Sequence, residues 1–377
     1  MTHALVLSGG RVIDPASGLD RVTDVGFDGN RVAAIGDGLT GTETRDVSGA
    51  IVTPGLIDLH THVYWGGTSL SVEADSYARR CAATTLVDAG SAGPGNFAGF
   101  RRHVIEPAEV RILGYIHISF AGIFAFSPTV MVGESQDMRL MATREAAEVA
   151  AANADRIVGL KVRVGRHTSG ANGIRPLQLA LEIAGESGLP IMAHIDEPDP
   201  LYEDVVDLLR PGDVLTHCFR PAPNAPVDDA GRVKPALLKA RDRGVLFDIG
   251  HGMGAFCWDA ARAAMKAGFP PDTISSDVHV LCIDGPAWHL LRTMNKLLAL
   301  GMPLTDVIRA STLTPARAIR RGDLGMLAPG GPAEASVFRI LDEPVELEDV
   351  RGQTLTFNRR VVAEGRVLGG RYEDLSP

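Results

Sequence analysis

From Pro54 onward, apolar runs of four to eight residues alternate with stretches of helical period, and eight such runs fit before residue 278. They are Leu56 to His62, Thr84 to Asp88, Arg111 to Ser119, Ile157 to Val164, Pro190 to His194, Val214 to Cys218, Val245 to Ile249 and Thr273 to Asp277. Near-continuous apolar strands separated by helices demand a parallel sheet covered on both faces. Eight of them are the number that closes a barrel, so the reading is α/β, a (β/α)8 TIM-like barrel. The intervening helices are Met141 to Ala154, Pro176 to Ser187 with proline in the first turn, Lys234 to Arg243 and Ala260 to Gly268. Leu177, Ala180, Leu181 and Ala184 fall on one stripe and are expected to pack on the barrel. Two further helices are expected at Trp288 to Leu300 and Leu304 to Ile319.

The two ends follow a different grammar. Before Pro54 come short strands at Ala4 to Ser8, Arg11 to Ile13, Val25 to Asp28, Arg31 to Ile35 and Thr44 to Val47, parted by turns such as Asp28-Gly29-Asn30. They read as a small antiparallel sheet. Strands return at Ala335 to Arg339, Thr354 to Phe357, Arg360 to Ala363 and Val367 to Leu368. The economical arrangement pairs both ends in one small β-sandwich, residues 1–53 plus 325–377, flanking a barrel of residues 54–324.

Charge and cysteine usage exclude some functions. The net charge of -9 is spread over mixed acids and bases with no basic stripe to neutralise phosphates, which argues against nucleic acid. No apolar run nears the ~20 residues of a membrane span, and the N-terminus lacks a secretory pattern, so a cytoplasmic protein is expected. Cys81, Cys218, Cys257 and Cys282 are far apart and read as reduced, buried thiols.

Chemistry gathers at the strand ends. In a closed parallel barrel the loops after the strands form the working face. The first run ends on His60-Thr61-His62, whose alternate spacing turns both imidazoles to one side. Alone, that pair fits a half-buried strand as well as a divalent metal. The later runs add Lys161 in the fourth, His194 ending the fifth, His217 in the sixth and Asp277 ending the eighth. A lysine inside an apolar strand is disfavoured as a free ammonium, but as a carbamate it becomes a carboxylate able to bridge two cations. His60, His62 and Asp277 would then serve one metal and His194 and His217 the other, with Lys161 between. Two metals roughly 3.5 to 4 Å apart share one water and bring its pKa near 7, making hydroxide available to attack a carbonyl. Asp277 is the expected general acid/base.

The ordered set His60-Thr61-His62, Lys161, His194, His217 and Asp277 resembles the amidohydrolase superfamily over most of the chain. Within it, Asn172-Gly173-Ile174-Arg175-Pro176-Leu177, Asp248-Ile249-Gly250-His251-Gly252, the run from Asp272 to His279 and that from Ala299 to Leu304 are similar to a dihydroorotase-like branch named deacetylases. The resemblance implies zinc, two ions bridged by carboxylated Lys161, and hydrolysis of small N-acyl or O-acyl acids. A cyclic-amide hydrolase of dihydroorotase or hydantoinase type, or an isoaspartyl dipeptidase, is the alternative, and a non-catalytic scaffold homologue ranks lower because no metal ligand is missing. Dihydroorotases place an arginine where this chain has Tyr64, and D-aminoacylases use a cysteine bridge absent from Leu86-Val87-Asp88-Ala89-Gly90. By analogy of fold, homo-oligomers are expected.

Four residues are candidates for substrate contact. Arg163 shares the face of Lys161 and would grip a carboxylate or pair with a structural acid. His251, among glycines after the seventh run, would bond an oxyanion or serve the turn; His279 would orient Asp277 or touch substrate; Tyr64 would line the acyl pocket or the core. His117 reads as a packed histidine.

Overall fold

The computed structural model describes residues 2–376. Seven parallel strands lie in chain order in one sheet: Leu56–Thr61, Ala83–Ala89, Arg111–His117, Ile157–Val164, Ile191–Ile195, Val214–Thr216 and Leu246–Asp248. Residues 273–278 close the barrel as an extended eighth segment. They bridge Asp248 through Thr273 and Thr61 through Val278, both in parallel sense. Asp277 N–H donates to His60 O at 2.7 Å and His62 N–H to Val278 O at 3.0 Å. The first two strands are buried along their whole length, as strands covered on both faces must be.

The helices fall close to their expected positions, at Thr143–Ala152, Arg175–Ser187, Pro235–Asp242, Trp258–Lys266 and Leu290–Ala299. Leu177, Ala180 and Ala184 are buried in the barrel core, and Leu181 packs on it at the edge. The expected helix from Leu304 to Ile319 is instead two, Leu304–Ser311 and Leu313–Ala318. Thr312 breaks it with φ -136° and ψ -81°, its hydroxyl turned back to Ile308 O at 2.7 Å. Two further short helices are Ala74–Cys81 and Tyr202–Leu208; Glu73 caps the former through the N–H groups of Asp75 and Ser76.

Two sheets built from the chain ends flank the barrel. One has the order Arg31–Gly36, Asp24–Asp28, Thr2–Ser8, Thr40–Asp46; the other runs Arg371–Asp374, Arg360–Leu368, Ala335–Leu341, Ile51–Pro54, Arg11–Asp14, Leu19–Val22. Leu5, Leu7, Val25 and Phe27 of the first meet Val52, Val337 and Val367 of the second in a separate core. The N-terminal strands are not purely antiparallel: Thr2–Ser8 pairs Thr40–Asp46, and Arg11–Asp14 pairs Ile51–Pro54, in parallel. Thr354–Phe357 forms a separate ribbon with Val345–Glu348. Among the described residues, no helix is long and apolar enough to cross a membrane, and all four cysteines are free and buried.

Candidate active site

Three buried aspartates frame the strand ends, each an acidic residue set inside an apolar run. Asp58 accepts from Tyr77 Oη at 2.6 Å and from the N–H of Ser276 at 2.9 Å, binding the eighth segment to the first strand. Asp88 accepts from the N–H groups of Val63, Gly90 and Ser91. Asp248 accepts from the hydroxyls of Thr216, Thr273 and Ser275. These bonds fix the backbone from which the functional side chains project.

His60 illustrates the consequence. The single hydroxyl proton of Thr216 goes to Asp248 Oδ2 at 2.8 Å, so Thr216 Oγ1 receives the Nδ1–H of His60, also at 2.8 Å. A neutral His60 therefore presents the lone pair of Nε2, and it lies 3.1 Å from Asp277 Oδ1. His62, held through Nδ1 by Ser91 Oγ at 2.9 Å, brings its Nε2 to 3.2 Å from the same oxygen. Two acceptors at that separation need a proton or a cation between them. The ligand atoms of His60, His62 and Asp277 all lie within 4.8 Å of one another, a grouping that fits a metal ion.

Beside it lies a second cluster. His217 donates Nδ1–H to Gly250 O at 2.7 Å, which leaves its Nε2 lone pair 2.6 Å from His194 Nδ1. His194 Nε2 has no hydrogen-bond partner among the described residues. Burial, reinforced at His194 by Arg163 and Lys161 and at His217 by His194, holds both rings well below the usual histidine range. Neutral imidazole is the form that ligates. Lys161 is wholly buried, with its Nζ 3.4 Å from His60 Nε2. Burial pulls its amine down to about 7, against the attraction of Asp277. A substantial share of the neutral amine, the form that carboxylates, is thus available near neutral pH. Burial pushes the Asp277 carboxyl up, but His60, His62 and His217 outweigh it and hold the group well below its usual range.

Backbone strain collects at the same place. His217 and Asp277 both adopt positive φ, 72° and 49°, at the ends of the sixth and eighth barrel segments. The loop after the seventh strand crosses so closely that a Cβ at Gly252 would lie 2.2 Å from Asp277 Oδ2.

A cavity of about 290 Å³ opens over the cluster and is lined by His60, His62, Lys161, His194, His217 and Asp277. Arg163 and His279 also line it, whereas Tyr64 and His251 do not. Arg163 lines the cavity, and its Nε lies 3.5 Å from Glu134 Oε1, the structural-acid alternative; Glu134 is itself 3.0 Å from His117 Nε2. His279 accepts the N–H of Leu281 on Nδ1 at 3.2 Å, and burial lowers it to about 4, so its neutral ring carries the proton on Nε2. Tyr64 turns to the core, stacked on Phe100 with ring centroids 4.7 Å apart. His251 is engaged at both ring nitrogens, by Gly252 O at 2.9 Å and Lys296 Nζ at 2.6 Å, and is no free oxyanion donor.

Sequence reasoning missed Arg220 and Phe126. Arg220, three residues beyond His217, is buried on the cavity wall and gives one N–H to Ile195 O, while its Nε is unpartnered among the described residues. The rule that located His217, position just past a strand end, extends to it. Phe126 comes from the long loop after the third strand, where no periodicity marks a position. A larger cavity of about 640 Å³ lies elsewhere, lined by Arg79, Glu109, Arg111, Glu334 and Glu373 among others. These side chains are ion-paired with one another, and it holds none of the metal-type cluster.

Known proteins bear on this arrangement. The model of the Amidohydrolase family matches residues 51–212. A deacetylase of Brucella anthropi is 36% identical over 93% of this chain and 87% of its own length. Among solved structures, an adenine deaminase superposes with a TM-score of 0.91 at 28% identity, covering 99% of this chain and 100% of that one. A dihydroorotase superposes with 0.89 at 33% identity, covering 99% of each. Likeness that runs through barrel and flanking sheets alike, in sequence as well as in shape, makes this chain a member of the amidohydrolase superfamily and a metal-dependent hydrolase.

Proposed function

We propose that this protein is a zinc-dependent deacetylase-type hydrolase that cleaves an amide or ester of a small acyl-bearing acid. The convergence of His60 Nε2 and His62 Nε2 on one oxygen of Asp277, beside a buried lysine, carries the reading. His60, His62 and Asp277 would hold one ion, His194 and His217 a second, and Lys161 as its carbamate would join them. When bound, such ions polarise the scissile carbonyl and acidify water at neutral pH. Asp277 takes the proton of the attacking water and returns it to the leaving nitrogen or oxygen. His279, a neutral ring on the cavity wall with its proton on Nε2, donates to a substrate oxygen. Arg220, buried without an ion-pair partner among the described residues, and Arg163 receive the carboxylate of the acid. Leu70, Ile123 and Phe126 supply the apolar wall. The name of the Brucella relative supports the deacetylase reading. Four buried, unpaired cysteines fit a reducing, cytoplasmic setting.

The solved dihydroorotase at 33% identity favours a second reading, hydrolysis of a cyclic amide. Zinc-loaded protein offered O-acetyl and N-acetyl derivatives of both enantiomers of small α-hydroxy and α-amino acids, beside hydantoins and β-aspartyl dipeptides, separates the two. Acetate release from the acetylated acids is expected. Turnover of cyclic amides alone would replace the deacetylase with the second reading.

A further inference from the structure

We propose that Lys296 is a positioning residue for the reaction, acting through His251 to hold the loop that packs on Asp277. Lys296 lies on helix Leu290–Ala299, away from the cavity, and is wholly buried. Its ammonium protons go to His251 Nε2 at 2.6 Å, Pro286 O at 2.9 Å and Glu348 O. Three donors meet three acceptors, none of them a carboxylate. An apolar side chain of the same length would fill this space without the cost of a buried charge, so the polar contacts are what the lysine contributes.

Those contacts lead to the working carboxylate. Because His251 Nε2 accepts from Lys296, the ring proton sits on Nδ1, which faces Gly252 O at 2.9 Å. The ring is stacked on Phe256, with centroids 4.9 Å apart and planes within 12°, so it has one orientation. The backbone it anchors lies along the segment bearing Asp277: His251 N–H reaches Ser275 O at 3.3 Å and Gly252 N–H reaches Ser276 O at 2.9 Å. Gly252, at φ +50°, leaves no room for a Cβ between itself and Asp277 Oδ2. The next residues, Met253, Gly254 and Ala255, line the cavity. Lys296 thus ties the helix, the turn at Pro286 and the ribbon at Glu348 to a loop that touches both Asp277 and substrate space.

The inference rests on the role given to Asp277, and its test separates the two. Lys296→Met, in zinc-loaded full-length protein, should retain its metal, lose about 10- to 100-fold in kcat and keep KM within about twofold, as expected when a reacting group is displaced by a fraction of an ångström. Backbone amides of residues 250–255 should exchange with deuterium faster than in wild type, with the rest of the barrel unchanged. If Lys296→Met does not fold, His251→Phe, which keeps the stack on Phe256, carries the same measurements. In the double variant the loss should match the larger single loss rather than their product. A folded variant with kcat within about twofold of wild type and unchanged loop protection overturns the proposal, as does a loss confined to KM. If the wild type hydrolyses no acyl substrate, the proposed function falls, and unchanged exchange would still overturn the clamp.

Discussion

His60 owes its orientation to one hydroxyl. Thr216 passes its proton to Asp248 and takes that of His60 Nδ1, so the Nε2 lone pair faces Asp277. Thr216→Val keeps the shape but removes the acceptor, and metal affinity should fall about 10- to 100-fold in competition with a chelator, the usual effect of losing a partner behind a ligating histidine. Unchanged affinity would mean that packing alone fixes the ring. At this scale the sequence was legible where a polar side chain falls within an apolar strand run or at its end, as with His60, His62, Lys161, His194, His217 and Asp277, all of which reach one cavity. It was not legible where the chain turns away. Tyr64 lies two residues past His62, yet the turn after the strand carries it onto Phe100, and only Lys296, forty-five residues on, decides what His251 can bond.

Some barrel strand ends also carry a backbone requirement. Gly90, closing the second strand at φ +87°, lies where a Cβ would meet Lys161 Cβ and Cγ at 2.7 Å. Gly90→Ala therefore adds strain in the left-handed region to a clash with the Lys161 side chain. We expect a loss of about 1–3 kcal/mol in unfolding free energy by denaturant titration. No loss would show that the second strand can shift to make room. The eight-fold alternation was legible because buried parallel strands leave long apolar runs. Less legible were partnerships among the end strands, since short half-buried strands carry no label for parallel or antiparallel neighbours. The parallel pairing of Thr2–Ser8 with Thr40–Asp46 is one example. The break at Thr312 arises from a hydroxyl folding back on Ile308 O, a choice that helical periodicity does not register.

At the scale of the molecule, the flanking sheets and the barrel are joined through buried polar contacts. Ser336 Oγ receives the N–H of Leu56 at 2.9 Å and donates to Ala82 O at 2.6 Å, so one residue of the sandwich holds the starts of the first two barrel strands. Arg366, fully buried, donates to Ala83 O at 2.8 Å beside it. The ribbon residue Glu348 reaches the opposite end of the barrel through Lys296. Chain ends thereby brace the bottom of the barrel and the loop at its top, and the metal-type residues are held in a frame that spans the whole fold. We propose that this frame assembles a two-metal centre around Lys161. It is tested most directly by elemental analysis of wild type and Lys161→Ala after equal zinc loading, with acyl-hydrolase activity read on the same samples. We predict about two zinc ions per chain in wild type, fewer in the variant, at least about 100-fold lower activity, and partial recovery with added short-chain carboxylates that stand in for the carbamate. Equal zinc content and equal activity in the two proteins would contradict the account, leaving Lys161 a structural residue and the chemistry to the His60, His62 and Asp277 end alone.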